Sequence, residues 1–352
     1  MDAVDRFREI AFPFVRFGSF TATAILFGLV PILLLVLRPA FKGAGAEAWS
    51  AGRSRVADRI EGLIEGALIV AMTATGLFIV LQALQIAEVR GTAVDGNAIS
   101  SVFDSSYGRW VGVRVPLLIA LGVMLFGKAR VSVLAGTEAS DSGPSPVFWG
   151  IWAGLSGLLL ATATFSGHSA VASPKVLAEI NDIAHLAAGA TWFTGIVVLA
   201  GMVPAATRDA VRPLELLRPV VTRFSQIAVV MIAVVVLTGT LNSILHVERL
   251  ADFVNTGYGR AIAVKIALVL GIIGLGGVNH FVIRRRLEAT PSDADSSTVR
   301  HLFKKLVVAE LFVGLAIFGA TGVLTDQART KKVVVPASAG HSVPTPGVAQ
   351  KD

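Results

Sequence analysis

The chain has 352 residues, of which 54% are apolar and 16% charged, with a mean hydropathy of +0.71. A soluble domain carries about a quarter charged residues, so this composition excludes an ordinary globular enzyme and defines a polytopic membrane protein. There is no cysteine, which removes disulfides, thiolate metal sites and cysteine nucleophiles, and the net charge of +7 points to loop orientation and anionic lipid rather than to nucleic acid.

In chain order, residues 1–16 read as a short interfacial segment. Asp2, Asp5 and Glu9 spoil the basic start of a signal peptide, so none is expected. Eight apolar runs follow, at 17–37, 60–86, 111–126, 147–165, 183–203, 224–245, 261–282 and 306–324. Each is near the roughly 17–25 residues that cross a bilayer as a helix. The third carries Pro116, which a membrane helix tolerates where its neighbours satisfy the backbone. Residues 326–352, with Lys331 and Lys332 followed by Pro, Ser, Gly and Ala, read as a disordered tail. The predicted fold is all-α: a bundle of eight transmembrane helices in two parallel four-helix repeats, 17–165 and 166–325.

Loop charge sets the orientation. The odd loops carry basic clusters such as Arg53, Arg55 and Arg59, or Arg284, Arg285 and Arg286. The even loops hold only Arg90, Arg109, Lys175, Arg249 and Arg260. Positive charge stays in the cytoplasm, so both termini are predicted outside. His168, His185 and His246 then fall on the outer side, and His280 and His301 on the inner side.

The two halves share signatures. Tyr107-Gly-Arg109 opens the third span and is followed by Arg114; Tyr258-Gly-Arg260 opens the seventh and is followed at the same spacing by Lys265. Thr75-Gly76 in the second span matches Thr238-Gly239 in the sixth. Four spans per half give parallel repeats, which place shared sites near the axis between them.

The residues that point to chemistry lie around the fifth span. Ser166-Gly-His168, a linker broken by Pro174, and Asn-Asp182-Ile-Ala-His185 put two imidazoles and a carboxylate at one membrane face. Ionisable groups at that depth are costly, so they mark function by default. His168 and His185 are expected to converge and hold a metal ion. Asp182 either orients the His185 ring through the nitrogen that does not bind metal, or serves only as the helix N-cap. His246, with Asn242 four residues before it, either completes a three-imidazole site or hydrogen-bonds among headgroups. Arg114 and Lys265 read as snorkelling to lipid phosphates, with a place on an ion pathway as the alternative. Glu61, Glu65 and Glu310 read as partners of inner arginines such as Arg59 or Arg223, with a cation path as the alternative. The scattered Met72, Met124, Met202 and Met231 read as filler.

Together Ser166-Gly-His168, Asp182-x-x-His185 with Trp192, Arg223-Phe-Ser225, Thr238-Gly239, Tyr258-Gly-Arg260 with Lys265, Asn279 and Glu310 resemble the copper resistance protein D (CopD) family. The resemblance is specific in the second half and rests on hydropathy and the diverged repeat in the first. It implies an eight-span bacterial inner-membrane protein that moves copper ions inward rather than an enzyme, often beside a small periplasmic copper-binding protein. His168 and His185 are then the copper contacts. The sequence departs from the pattern at Arg16-Phe17, where relatives often carry a histidine. Without thiolates, a copper site here is imidazole-based. The alternative is a haem b electron carrier with two histidines as axial ligands, for which His185 and His246 are the candidates.

Overall fold

The computed structural model describes residues 3–43, 46–127, 145–166, 174–207, 213–247, 249–290 and 297–325. Among them every regular element is helical. In order they are α1 Ala3–Pro31, a π-helical turn Ile32–Leu37, α2 Arg38–Gly43, α3 Ala46–Arg90, α4 Gly96–Asp104, α5 Ser106–Gly127 and α6 Pro146–Ser166. The second half continues with α7 Lys175–Thr207, α8 Pro213–His246, α9 Asp252–Asn255, α10 Gly257–Val278, a π-helical turn Asn279–Ile283, α11 Arg284–Ala289 and α12 Ser297–Leu324. Eight helices among the described residues are long and apolar enough to cross a bilayer. They match the eight predicted runs in order.

The helices outrun the apolar windows because polar flanks continue the same hydrogen-bond ladder. α1 runs unbroken from Ala3, so the segment predicted to lie at the interface leads straight into the first span. α3 begins at Ala46, well before its apolar run, and α7 begins at Lys175, about two turns before its own. The π turn at Ile32 follows directly on Pro31. A proline there lacks the N–H for an i→i−4 bond, and the helix widens rather than breaks.

α1 and α7 form the centre. α1 packs against α3, α6, α7 and α12, and α7 against α1, α3, α6, α8 and α12. Lipid offers little hydrophobic drive between helices, so close approach through small residues and interhelical hydrogen bonds hold them. Gly28 supplies the approach: a methyl there would collide with the Ala190 carbonyl and the Thr194 side chain. Thr194 Oγ1 donates to the Ala24 carbonyl at 2.9 Å, and Trp152 Nε1 to that of Leu26 at 3.0 Å. On the other side of α7, the Phe193 ring lies 4.6 Å from that of Phe318 and rests on Gly314 of α12.

The two Tyr-Gly-Arg openings share one local geometry. Ser105 and Thr256 each cap the following helix, accepting the Gly108 and Gly259 N–H respectively, both at 2.9 Å. Each glycine is pressed against a carbonyl of the preceding short helix, Val102 of α4 and Asp252 of α9. Only a residue without Cβ fits so close to backbone.

Candidate functional site

At the end of the bundle where α6 and α8 finish and α7 and α10 begin, the chain gathers a polar cluster between α7 and α8. Asn181, Asp182 and His185 project from two adjoining turns of α7, and Thr238, Gly239 and Asn242 from α8. Asn181 is 7% exposed. Its Nδ2 donates to the Thr238 carbonyl at 3.0 Å and to Asn242 Oδ1 at 2.8 Å. Asn242 Nδ2 in turn donates to Asp182 Oδ1 at 3.5 Å, a weak bond.

His185 is half-buried, and its Nδ1 lies 2.9 Å from Thr238 Oγ1. The Thr238 hydroxyl has one proton, and the 2.6 Å contact to the Val234 carbonyl uses it. Thr238 therefore accepts from His185, which assigns the proton to Nδ1 and leaves the Nε2 lone pair for a ligand. Gly239 makes the room: a Cβ there would sit 3.3 Å from His185 Cε1. Lys265 of α10, also half-buried, is within electrostatic reach of both His185 and Asp182. The second half thus brings together Asp182, His185, Asn242 and Lys265 of the predicted residues.

Two expectations about this cluster change. Asp182 lies two turns inside α7, so it is no N-cap, and the Nδ1 partner of His185 is Thr238 rather than Asp182. The carboxylate faces Asn242 and Lys265 instead. His168 lies outside the described residues, and so does the side chain of His246, whose backbone ends α8. Among the described residues no group of three or more His, Asp or Glu side chains is placed to hold a metal.

The other predicted residues sit elsewhere. Trp192 is in the core two turns deeper on α7, against Gly314 of α12. Arg114 does not snorkel. It is 7% exposed, donating from Nη1 to Thr162 at 2.8 Å and from Nη2 to Ser19 and Thr23 at 2.9 and 3.0 Å. Glu310 is 5% exposed and accepts from Asn279 Nδ2 at 2.8 Å, an amide where the sequence pointed to an arginine. Asn279 opens the π turn of the seventh span, and its Oδ1 is buried without a partner among the described residues. Beside it, His280 Nδ1 lies 2.5 Å from Ser225 of α8. Sequence reasoning missed Asn181 and the Ser225–His280 pair. Asn181 was within reach, since it stands one turn before His185 on the same stripe.

An eight-span helical bundle with a polar cluster around His185 at one end defines a polytopic membrane protein. A family model for copper resistance protein D matches residues 218–324, and one for the N-terminal domain of copper resistance protein D-like proteins matches 7–174. The chain belongs to the copper resistance protein D family. It is 24% identical over 309 residues to copper resistance protein D of Pseudomonas syringae pv. tomato, across 87% of this chain and 92% of that protein. It is 29% identical over 170 residues to copper transport protein CutJ of Bacillus subtilis (strain 168), which is 48% of this chain and 29% of that larger relative. Residues 175–217, which hold Asn181, Asp182, His185 and Trp192, fall between the two matched stretches.

Proposed function

We propose that this membrane protein takes copper ions from the periplasm at the α7–α8 cluster and passes them inward across the bacterial inner membrane. His185 is the anchoring ligand. The observation that carries the reading is the Thr238 hydroxyl, which accepts from Nδ1 and so presents the neutral Nε2 lone pair. An imidazole held this way, by a partner on its other nitrogen, is the usual form of a histidine metal ligand. It suits Cu(II) or a low-coordinate Cu(I) in a chain without thiolates. One described histidine does not complete a copper site, so His168 is assigned as the second ligand and His246 as a third. Asn181 and Asn242 tie α7 to α8 beside the ring.

The loop charge motivates the direction, placing the cluster and both termini in the periplasm. A small periplasmic copper-binding protein is the proposed donor. The test is copper uptake into liposomes carrying the purified full chain in known orientation. Uptake in the wild type that falls to the empty-liposome level in His185→Ala supports the proposal. Equal uptake by both proteins removes His185 from the path.

A further inference from the structure

Away from the histidine cluster, the second half holds a buried carboxyl that the copper reading does not use. Glu310 of α12 is 5% exposed. Among the described residues its one hydrogen-bond partner is Asn279, whose Nδ2 donates to Oε1 at 2.8 Å. The seventh span starts at the cluster's end of the bundle, and the 22 residues of α10 carry it about 33 Å before Asn279, at 1.5 Å per residue. A bilayer's hydrocarbon core is about 30 Å thick, so the Asn279–Glu310 pair belongs to the opposite side of the membrane.

The helices around Glu310 bring it little charge. α12 packs against α1, α7, α10 and the π turn that Asn279 opens. Segments 17–37, 186–207 and 266–278, which supply the first, fifth and seventh spans, contain no titratable residue. The charged groups of those helices stand toward the other end: Arg16 and the residues before it on α1, Lys175, Glu179, Asp182 and His185 on α7, and Arg260 and Lys265 on α10. On the π turn, His280 is directed to Ser225 of α8. On α12 itself His301, Lys304 and Lys305 are exposed, and Arg300 comes roughly three turns before Glu310.

A donor is missing as well as a charge. Asn279 Oδ1 is buried without a hydrogen-bond partner among the described residues, a state in which few buried polar atoms are left. A small cation supplies both. Na+ takes oxygen ligands such as a carboxylate and a carboxamide carbonyl, and a proton on Glu310 cancels its charge and creates an O–H that can donate. One carboxylate balances one positive charge, which favours a monovalent cation, and the oxygen donors do not suit copper. The π turn adds to this: the Arg284 N–H bonds back to the Asn279 carbonyl, five residues earlier. Such interruptions of membrane helices are where transporters place coupling ions.

We propose that Asn279 and Glu310 form a site for a small monovalent cation, Na+ or a proton, whose inward gradient drives copper transport. The coupling rests on the copper reading; the site does not. Binding is therefore tested without copper, on the purified full chain in a maltoside detergent at constant ionic strength. One arm replaces choline chloride with sodium chloride and follows thermal unfolding, because a ligand of the folded state raises the melting temperature in a saturable way. The other arm records the infrared C=O band of a carboxylic acid, which shifts in D2O. The expected result is a saturable sodium effect or an acid band, retained in Glu65→Gln, an exposed carboxyl of α3, and lost in Glu310→Gln. Sodium stabilisation identifies a sodium site, and the acid band alone identifies a proton site. If Glu310→Gln does not fold, Asn279→Ala carries the comparison: the sodium half-point should rise about tenfold, the scale of a lost charge-assisted contact, or the acid band should change frequency. Neither signal in the wild type, or an unchanged signal in Glu310→Gln, overturns the site. Liposomes carrying the protein are then given an inward gradient of the cation so identified. Copper uptake should rise several-fold in the wild type and not in Glu310→Gln, and a gradient without effect on the wild type overturns the coupling. A wild type that takes up no copper removes the transport reading and the coupling with it, while the two binding arms still decide the site.

Discussion

Replacing Thr238 with Val removes one oxygen and keeps the shape of the side chain, so it isolates the atom that sets the His185 tautomer. The Val234 carbonyl remains within the α8 hydrogen-bond ladder, so the loss falls on His185 Nδ1–H, whose 2.9 Å acceptor is removed while the ring keeps its contact with the Val235 carbonyl. An unsatisfied buried donor costs about 1–3 kcal/mol. His185 is only half-buried, which puts the stability loss near the lower end, about 1 kcal/mol. The larger effect is on metal. With neither tautomer enforced, copper affinity should fall 10–100-fold, the usual consequence of removing a partner that orients a ligand. That corresponds to roughly 1.4–2.7 kcal/mol of binding free energy. Competition against a chromophoric copper chelator in detergent measures it, and nitrogen NMR of the histidine-labelled protein reads the tautomer directly. Thr238→Ser keeps the hydroxyl and should restore most of the affinity. If Thr238→Val binds copper as tightly as the wild type while His185→Ala does not bind, the ligand is right but the tautomer argument is wrong.

Four further outcomes are expected. Lys265→Met removes a cation within electrostatic reach of His185 and should tighten copper binding several-fold; weaker binding in the same chelator assay would make Lys265 part of the site rather than a repulsive neighbour. Asp182→Asn, which leaves His185 Nδ1 on Thr238, should weaken copper binding less than Thr238→Val does, and a larger loss would return the orienting role to the carboxylate. Gly28→Ala forces a methyl into backbone at the α1–α7 crossing and should cost at least the 1–3 kcal/mol of core overpacking, read as a lower melting temperature and a poor folded yield. Single cysteines at Ser169 and Ser297, probed with an impermeant thiol reagent on intact cells, should label at the first and not at the second; the reverse pattern would invert the membrane orientation.

What the sequence discloses here depends on how local the cause is. Span number and order follow from runs of apolar residues, and all eight helices emerge where those runs lie. Helix ends do not, because α3 and α7 continue through polar flanks that have no hydropathy signal. The π turn at Asn279 is equally silent in a window average, although it sets the Asn279 side chain against Glu310. In the site, the histidine and its neighbours on α7 were legible from spacing and depth. The partner of His185 was not, because Thr238 comes from another helix and nothing in either segment announces the pairing. Asp182 stood closer in sequence and looked the better partner. Arg114 was misread for a related reason. Snorkelling is the default for a lone cation near a membrane face, and it was overridden by hydroxyls that α1 and α6 bring to it from far along the chain.

The central claim is that His185 anchors a copper ion. The most direct test is metal analysis together with a visible absorption spectrum of the purified protein, wild type beside His185→Ala. Copper present in the wild type, largely lost in the variant, and no Soret band in either is the predicted result. A Soret band that vanishes with His185→Ala would make the protein a haem-binding electron carrier, and copper content unchanged by the substitution would contradict the assignment of the site.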